Sequence, residues 1–230
     1  MLSEQIVNWT KAYAEEGGMA YPAEYVIRMF KGNYPKLNLM ELSGGYKGKS
    51  VLDIGCGDGR HLCLFHSLGF GRIAGTEISK ETVEYVKRNT VKYGFDSDIR
   101  VGINNNLGFE DNAFDFVLSW NVCYYLDDNM DFASHVKEYA RVMKKDAVLV
   151  FSIPCKDCFV YKDGVEKEGF MEIKNDWFGL RNGSVQKVFQ NEDDIREAFS
   201  PHFKDFTFGK INDDCFGLDY RWYIGYCRKK

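Results

Sequence analysis

The residues best placed to do chemistry stand together in Asp53-Ile54-Gly55-Cys56-Gly57-Asp58-Gly59. Glycines alternate with short side chains directly after the apolar run Ser50-Val51-Leu52-Asp53-Ile54. Such a turn needs positive φ and no side chain, so that a ligand can rest on bare backbone where a helix begins. Asp53, at the end of the run, can accept from a loop amide and from a ligand's ammonium group. About twenty residues on, Glu77 ends a second apolar run, where a carboxylate can hold both hydroxyls of a ribose. The spacing Gly55-x-Gly57-x-Gly59 is one residue short of a dinucleotide fingerprint, and no lysine follows to make a phosphate-binding loop. A bare glycine turn and a helix-start charge at Glu77 are the bland alternatives.

The elements that must hold these residues alternate. Short apolar runs at Ser50–Ile54, Arg72–Thr76, Ile99–Ile103, Phe114–Ser119 and Ala147–Ile153 read as buried strands. Helical periodicity fills Gly59–Leu68, the stretch capped by Ser79 through Tyr93, and Asp131–Lys145. Strands alternating with helices predict right-handed βαβ units and a parallel sheet, with ligands at the carboxyl ends of its strands. Asn191 opens a further helix, and Phe203–Phe208 with Arg221–Cys227 can form a terminal hairpin. Residues 1–45 read as helices broken at Gly17-Gly18, a helical cap ahead of a domain spanning 46–230. The aromatic, glycine-dotted stretch at about 154–190 reads as an insertion on the substrate side.

The motifs resemble those of the class I S-adenosylmethionine-dependent methyltransferases. Asp53–Gly59 followed by Glu77 looks like the family's first two motifs. Gly108-Phe109-Glu110-Asp111-Asn112-Ala113-Phe114-Asp115-Phe116-Val117 is similar to the stretch that enters its fourth strand. Asp131–Ile153 matches the approach to its fifth strand, although Lys144-Lys145-Asp146-Ala147 lacks the usual glycines. The resemblance covers about residues 48–153. It implies an α/β, Rossmann-like fold: a mostly parallel seven-stranded sheet with a C-terminal antiparallel hairpin, helices on both faces and an N-terminal helical lid.

The cofactor implied is S-adenosyl-L-methionine, leaving as S-adenosyl-L-homocysteine. By the resemblance, Gly55, Cys56 and Gly57 lie against it by their backbone, Asp53 faces the methionine ammonium, Glu77 takes the ribose and Ile78 packs on the adenine. Members often carry an acid after the third strand, on the adenine amine. Here Gly102-Ile103-Asn104-Asn105 has none, so Asn104 or Asn105 is expected in that place. Asn121 is expected near the methionine moiety, with Arg60 and His61 within reach of its carboxylate. Tyr21-Pro22-Ala23-Glu24-Tyr25-Val26-Ile27-Arg28 resembles the opening of small-molecule members, including enzymes from surface-polysaccharide gene clusters. Tyr13, Tyr21 and Arg28 are then lid contacts, and Tyr124 and Tyr13 the candidate catalytic groups.

Composition narrows the acceptor. The chain has 230 residues with a net charge of -4, which argues against nucleic acid as a partner. No apolar stretch approaches a membrane span, and the first residues lack a secretory pattern, so a cytoplasmic protein is expected. Seven scattered cysteines fit a reducing compartment, and Cys155-Lys156-Asp157-Cys158 has no second pair to complete a metal site. The expected protein is a monomer or homodimer that methylates an O or N atom of a small polar metabolite, a surface-glycan or headgroup precursor among the possibilities. Competing readings are a non-catalytic S-adenosylmethionine-binding protein and a nicotinamide-dependent oxidoreductase.

Overall fold

The computed structural model describes residues 8–12, 21–32, 39, 44–126 and 131–230. Residues 8–12 are helical, and α1 spans Glu24–Lys31. Then come β1 (Ser50–Ile54), α2 (Arg60–Ser67), β2 (Arg72–Glu77), α3 (Lys80–Lys92), β3 (Asp98–Val101) and β4 (Phe114–Trp120). A short β5 (Tyr125–Leu126) precedes α4 (Phe132–Val142) and β6 (Met143–Pro154). After β7 (Val165–Lys167), β8 (Phe170–Glu172) and β9 (Val185–Lys187), the chain closes with α5 (Glu192–Phe199), β10 (Phe203–Cys215) and β11 (Leu218–Lys229).

The main sheet has seven strands in the order β10-β11-β6-β4-β1-β2-β3. β1 pairs in parallel with β2 and β4, β2 with β3, and β4 with β6. β11 inserts antiparallel between β6 and β10. This is the Rossmann-like sheet with a terminal hairpin that the motifs imply. β1 and β4 are central, and their side chains are almost entirely buried, as strands covered on both sides must be. The order reverses between β1 and β4, so the crevice for a ligand opens beyond the carboxyl ends of these two strands.

α1 belongs to the core through Val26, Met29 and Phe30. Phe30 sits among Tyr46, Phe65, Phe70 and Phe116, with ring centroids 5.1–6.4 Å apart. The Tyr46 hydroxyl donates to the Phe30 carbonyl at 2.9 Å, which satisfies a buried polar group and ties the end of α1 to the sheet.

Some boundaries differ from those read in the sequence. The helix expected over Asp131–Lys145 ends at Val142, and Met143 is already extended. The Arg141 and Val142 carbonyls accept from the amides of Asn112 and Ala113, which fixes the exit into β6. β3 stops at Val101 instead of Ile103, because Gly102 turns its amide to the Glu77 carbonyl and Ile103 bridges Asn106. The hairpin runs past its apolar stretches to a two-residue turn at Phe216-Gly217, both with positive φ. Its polar outer half is held by the backbone ladder, which leaves no hydropathy signal. Residues 154–190 carry β7–β9, which join β5 in a second, four-stranded sheet. Tyr13 lies outside the described residues.

Candidate functional site

The turn after β1 is built on left-handed backbone. Gly55, Gly57 and Gly59 have φ of 62°, 60° and 85°, and Gly59 caps α2. A Cβ on Gly55 would stand 2.7 Å from Val122 Cγ2, so the turn and the segment after β4 lie in contact. A Cβ on Gly75 would meet Cys56 Sγ at 2.8 Å; glycine there lets the Cys56 side chain pack over β2. The Cys56 amide donates to the Thr76 carbonyl at 3.0 Å, prolonging the β1–β2 ladder into the loop.

Glu77 locks the turn. Its Oε1 accepts from the Gly57 amide at 2.6 Å and its Oε2 from the Ile78 amide at 3.0 Å. The carboxyl is buried, and desolvation pushes its pKa up to about 7 against the pull of those two amides. Asp53, equally buried, lies 3.3 Å from His61 Nδ1. His61 Nε2 accepts from the Ala23 amide at 3.4 Å, which places the ring proton on Nδ1, toward Asp53. His61 therefore links the base of the turn to the start of α1. Asp58 Oδ1 accepts from the Arg60 amide at 3.1 Å, an Asx contact inside the turn.

Beyond β3 the two asparagines part company. Asn104 Nδ2 donates to the carbonyls of Val122 and Tyr125, both at 3.2 Å, and its Oδ1 accepts from the Tyr139 hydroxyl at 2.5 Å. That amide is spent on holding the β4–β5 connection. Asn105 Oδ1 is buried and has no partner among the described residues. An orphaned acceptor of this kind is completed by an amino group such as that of adenine, so the residue fits an adenosyl ligand. At the end of β4, Asn121 has φ 62°; its amide donates to Ser152 Oγ at 2.8 Å, and its Oδ1 accepts from the same hydroxyl at 2.6 Å.

Tyr21 is 81% exposed, and Arg28 pairs with Glu24 one turn back on α1. Tyr124 is buried, and desolvation drives its phenol well above the ordinary value, so it stays a neutral hydroxyl near pH 7. Its ring stacks on Tyr125 at 5.0 Å.

The neighbouring insertion contributes residues that reading the sequence missed or left unassigned. Asp176 Oδ2 accepts from the Leu180 and Arg181 amides at 3.0 and 3.2 Å, and its Oδ1 from Arg181 Nη1 at 2.9 Å. Arg181 and Gln186 both act on the Tyr125 phenol. Asp176 gave no local signal, since its bonds reach amides four and five residues on in a stretch without periodicity. Residues 8–12 reach both halves: Thr10 donates to Ser79 Oγ at 2.9 Å, and the Arg181 guanidinium lies 5.7 Å from the Trp9 ring.

Comparison with known proteins shows what this arrangement is similar to. A family model described as a methyltransferase domain matches residues 52–151, which run from β1 into β6. Over those residues, a little under half of the chain, the sequence resembles that family. It is 27% identical over 141 residues to a tRNA U34 carboxymethyltransferase of Alteromonas mediterranea, covering 57% of this chain and 40% of that protein. It spans about half or less of the curated relatives it matches. Among solved structures, an S-adenosylmethionine-dependent methyltransferase of Methanosarcina mazei superposes with TM-score 0.66 at 18% identity, over 85% of this chain and 97% of that one. A Burkholderia thailandensis 1,6-didemethyltoxoflavin-N1-methyltransferase, solved with its substrate and S-adenosylhomocysteine, superposes with TM-score 0.62 at 14% identity, over 84% and 75%. Among the described residues no helix is long and apolar enough to cross a membrane.

Proposed function

We propose that this protein transfers a methyl group from S-adenosylmethionine to an oxygen or nitrogen atom of a small polar metabolite. The observation that carries the reading is the Glu77 carboxylate between the Gly57 and Ile78 amides, at the junction of the glycine turn and β2. When bound, the cofactor supplies an electrophilic methyl on a sulfonium. The protein's own residues bind, orient and keep water out. Glu77 receives the ribose hydroxyls, Asp53 the methionine ammonium through an arrangement that His61 steadies, and Ile78 lines the adenine. Gly55, Cys56 and Gly57 offer backbone, and Asn105 Oδ1 takes the adenine amine in preference to the committed Asn104.

Asn121, fixed by Ser152, borders the methionine end, with Arg60 at the first turn of α2. Tyr124 acts as a neutral donor to the acceptor and not as a base. Arg28 and Tyr21 contribute through the position of α1, which forms part of a helical cap over the site. Size and charge of the acceptor follow from the surroundings. Beyond β4 the chain enters the second sheet through β5, Arg181 of the insertion lies against Trp9, and the chain has a net charge of -4. These features favour a small molecule over the folded RNA or ribosomal protein named for two curated relatives.

The test is calorimetric titration with S-adenosylhomocysteine, with nicotinamide dinucleotides alongside, followed by methyl turnover on a metabolite panel. Micromolar affinity for S-adenosylhomocysteine, weakened by roughly 1–3 kcal/mol in Asp53→Ala and Glu77→Ala, is expected. Preference for a dinucleotide would sink the reading.

A further inference from the structure

Arg181 is a cation drawn into the protein with only part of its hydrogen bonding met. Its side chain keeps 15% of its accessibility, and that of its partner Asp176 keeps none. Nη1 is engaged with Asp176, but Nε is buried and finds no acceptor among the described residues. Two further orphans stand nearby. Gln186 Oε1 is unpartnered in the β9 strand that pairs with Tyr125, and Trp222 Nε1 is unpartnered 6.0 Å, ring to ring, from Tyr124. A buried donor or acceptor left unmade costs about 1–3 kcal/mol, and more when charged, so a cluster of three asks for a ligand that completes it.

The cluster's position connects it to the methyl-transfer site. Tyr124 and Tyr125 follow Val122, which touches Gly55 across the turn, and Asn104 bonds the carbonyls of both Val122 and Tyr125. Arg181 lies beyond these two tyrosines, covered by Trp9 and Phe178 at 5.7 and 5.8 Å. Charge selects the ligand further. Asp176 already offsets the single positive charge of Arg181, so beside this neutral pair a monoanion costs less than a dianion. The Nε edge of a guanidinium fork matches the two coplanar oxygens of a carboxylate.

We propose that the Nε edge of Arg181 anchors a carboxylate of the methyl acceptor, so that the substrate is an organic acid bound against Tyr124 and Tyr125. This rests on the methyltransferase reading above only for calling the ligand the acceptor; the anion site itself stands on the residues named here. Trp222 Nε1 and Gln186 Oε1 then give a donor and an acceptor to polar groups elsewhere on the same molecule.

The experiment uses the full chain at pH 7.5, with and without S-adenosylhomocysteine, and follows tryptophan fluorescence and calorimetric heat. The probes are benzoate, phenylacetate and 4-hydroxybenzoate, each against its neutral amide, with phenyl phosphate as the dianion. At least one carboxylate should bind at least ten-fold tighter than its amide and than phenyl phosphate. Arg181→Gln alone would strand Asp176, so the Asp176→Asn/Arg181→Gln double variant is made as well, and its fold is checked by thermal melting. It should lose at least ten-fold in carboxylate affinity while S-adenosylhomocysteine affinity is unchanged. Arg181→Lys, which keeps the charge but not the fork, should fall between. Equal binding of acid and amide, tighter binding of phenyl phosphate, no binding of any carboxylate, or full affinity in the folded double variant each overturns the proposal. Failure of the wild-type chain to bind S-adenosylhomocysteine would instead overturn the methyltransferase reading, whatever the carboxylates do.

Discussion

The glycine turn and the Arg181 region face each other across the end of β4, and their polar groups are handled in opposite ways. At the turn, Glu77, Asp53 and Asp58 each have a partner from the turn or from the helix it starts. Around Arg181, three polar atoms are buried with none among the described residues, although Asp176 itself receives three hydrogen bonds. The turn is therefore organised before any ligand arrives, and a ligand adds to a network that already stands. The acceptor side holds its cation in place but leaves its recognition edge unsatisfied, which is stable only while the surrounding fold or a ligand compensates. One half is built for a constant partner and the other for a particular one.

The largest effect separating the two regions should come from Asp176→Ala. It removes the acceptor of three hydrogen bonds and leaves Arg181 as a buried unpaired charge, a change worth about 3–5 kcal/mol. Urea unfolding of the full chain should show that loss while S-adenosylhomocysteine still binds the folded fraction with its original affinity. A parallel loss of cofactor affinity would mean that the two regions do not act separately.

Next in size is Gly55→Ala, with an expected cost of about 2–4 kcal/mol in stability, since it meets both a φ of 62° and Val122 Cγ2 at 2.7 Å. Gly183→Ala in the insertion, where φ is 78° but nothing lies within 4 Å of the new Cβ, should cost only the backbone part, about 1–2 kcal/mol. Equal melting temperatures for the two would remove the claim that the turn is packed against the β4 exit.

The pH response sharpens the contrast because it belongs to the turn. Burial holds the Glu77 carboxyl near 7, above its ordinary 4.5, so the ligand-free fold favours the protonated form. Its contribution to stability is complete below pH 4.5 and is lost as the pH rises through about 7. Ribose hydroxyls donate to the carboxylate, so S-adenosylhomocysteine should bind more weakly as pH falls below 7, by up to about ten-fold per unit. Melting curves and titrations between pH 5.5 and 8, with Glu77→Gln flattening both trends, check the sign.

The last comparison sets the two asparagines against each other, and its Asn105 arm carries the smallest effect. Asn104→Ala should cost about 2–3 kcal/mol in stability, because it strands the Tyr139 hydroxyl and two carbonyls. Asn105→Ala should leave the melting temperature within a degree or two and weaken S-adenosylhomocysteine binding by about ten-fold or less, the worth of one hydrogen bond. The reverse pattern would give the adenine side to Asn104.

Much of the cofactor half was legible in the sequence because its parts are local. Gly55, Gly57 and Gly59 declare their turn by having no side chain, Ser79 declares the start of α3 by its cap, and Glu77 stands at the end of an apolar run. The interchangeable reading of Asn104 and Asn105 could not be resolved there, since what separates them is Tyr139, thirty-five residues away on α4. The insertion was legible only as a change in composition. β7, β8 and β9 are three residues each, and their side chains alternate too briefly to carry a period.

By itself the sequence determined the order of strands and helices, the glycine turn and the carboxylates beside it, because φ freedom, capping and buried apolar runs act over a few residues. Tertiary structure alone decided that Arg181 meets Tyr125 and Trp9, that Asn104 is spent while Asn105 is not, and that His61 joins Asp53 to α1. Those pairings bring together groups distant along the chain. Which polar atoms end satisfied depends on how the second sheet and the N-terminal helices close over the first, and no local rule records that.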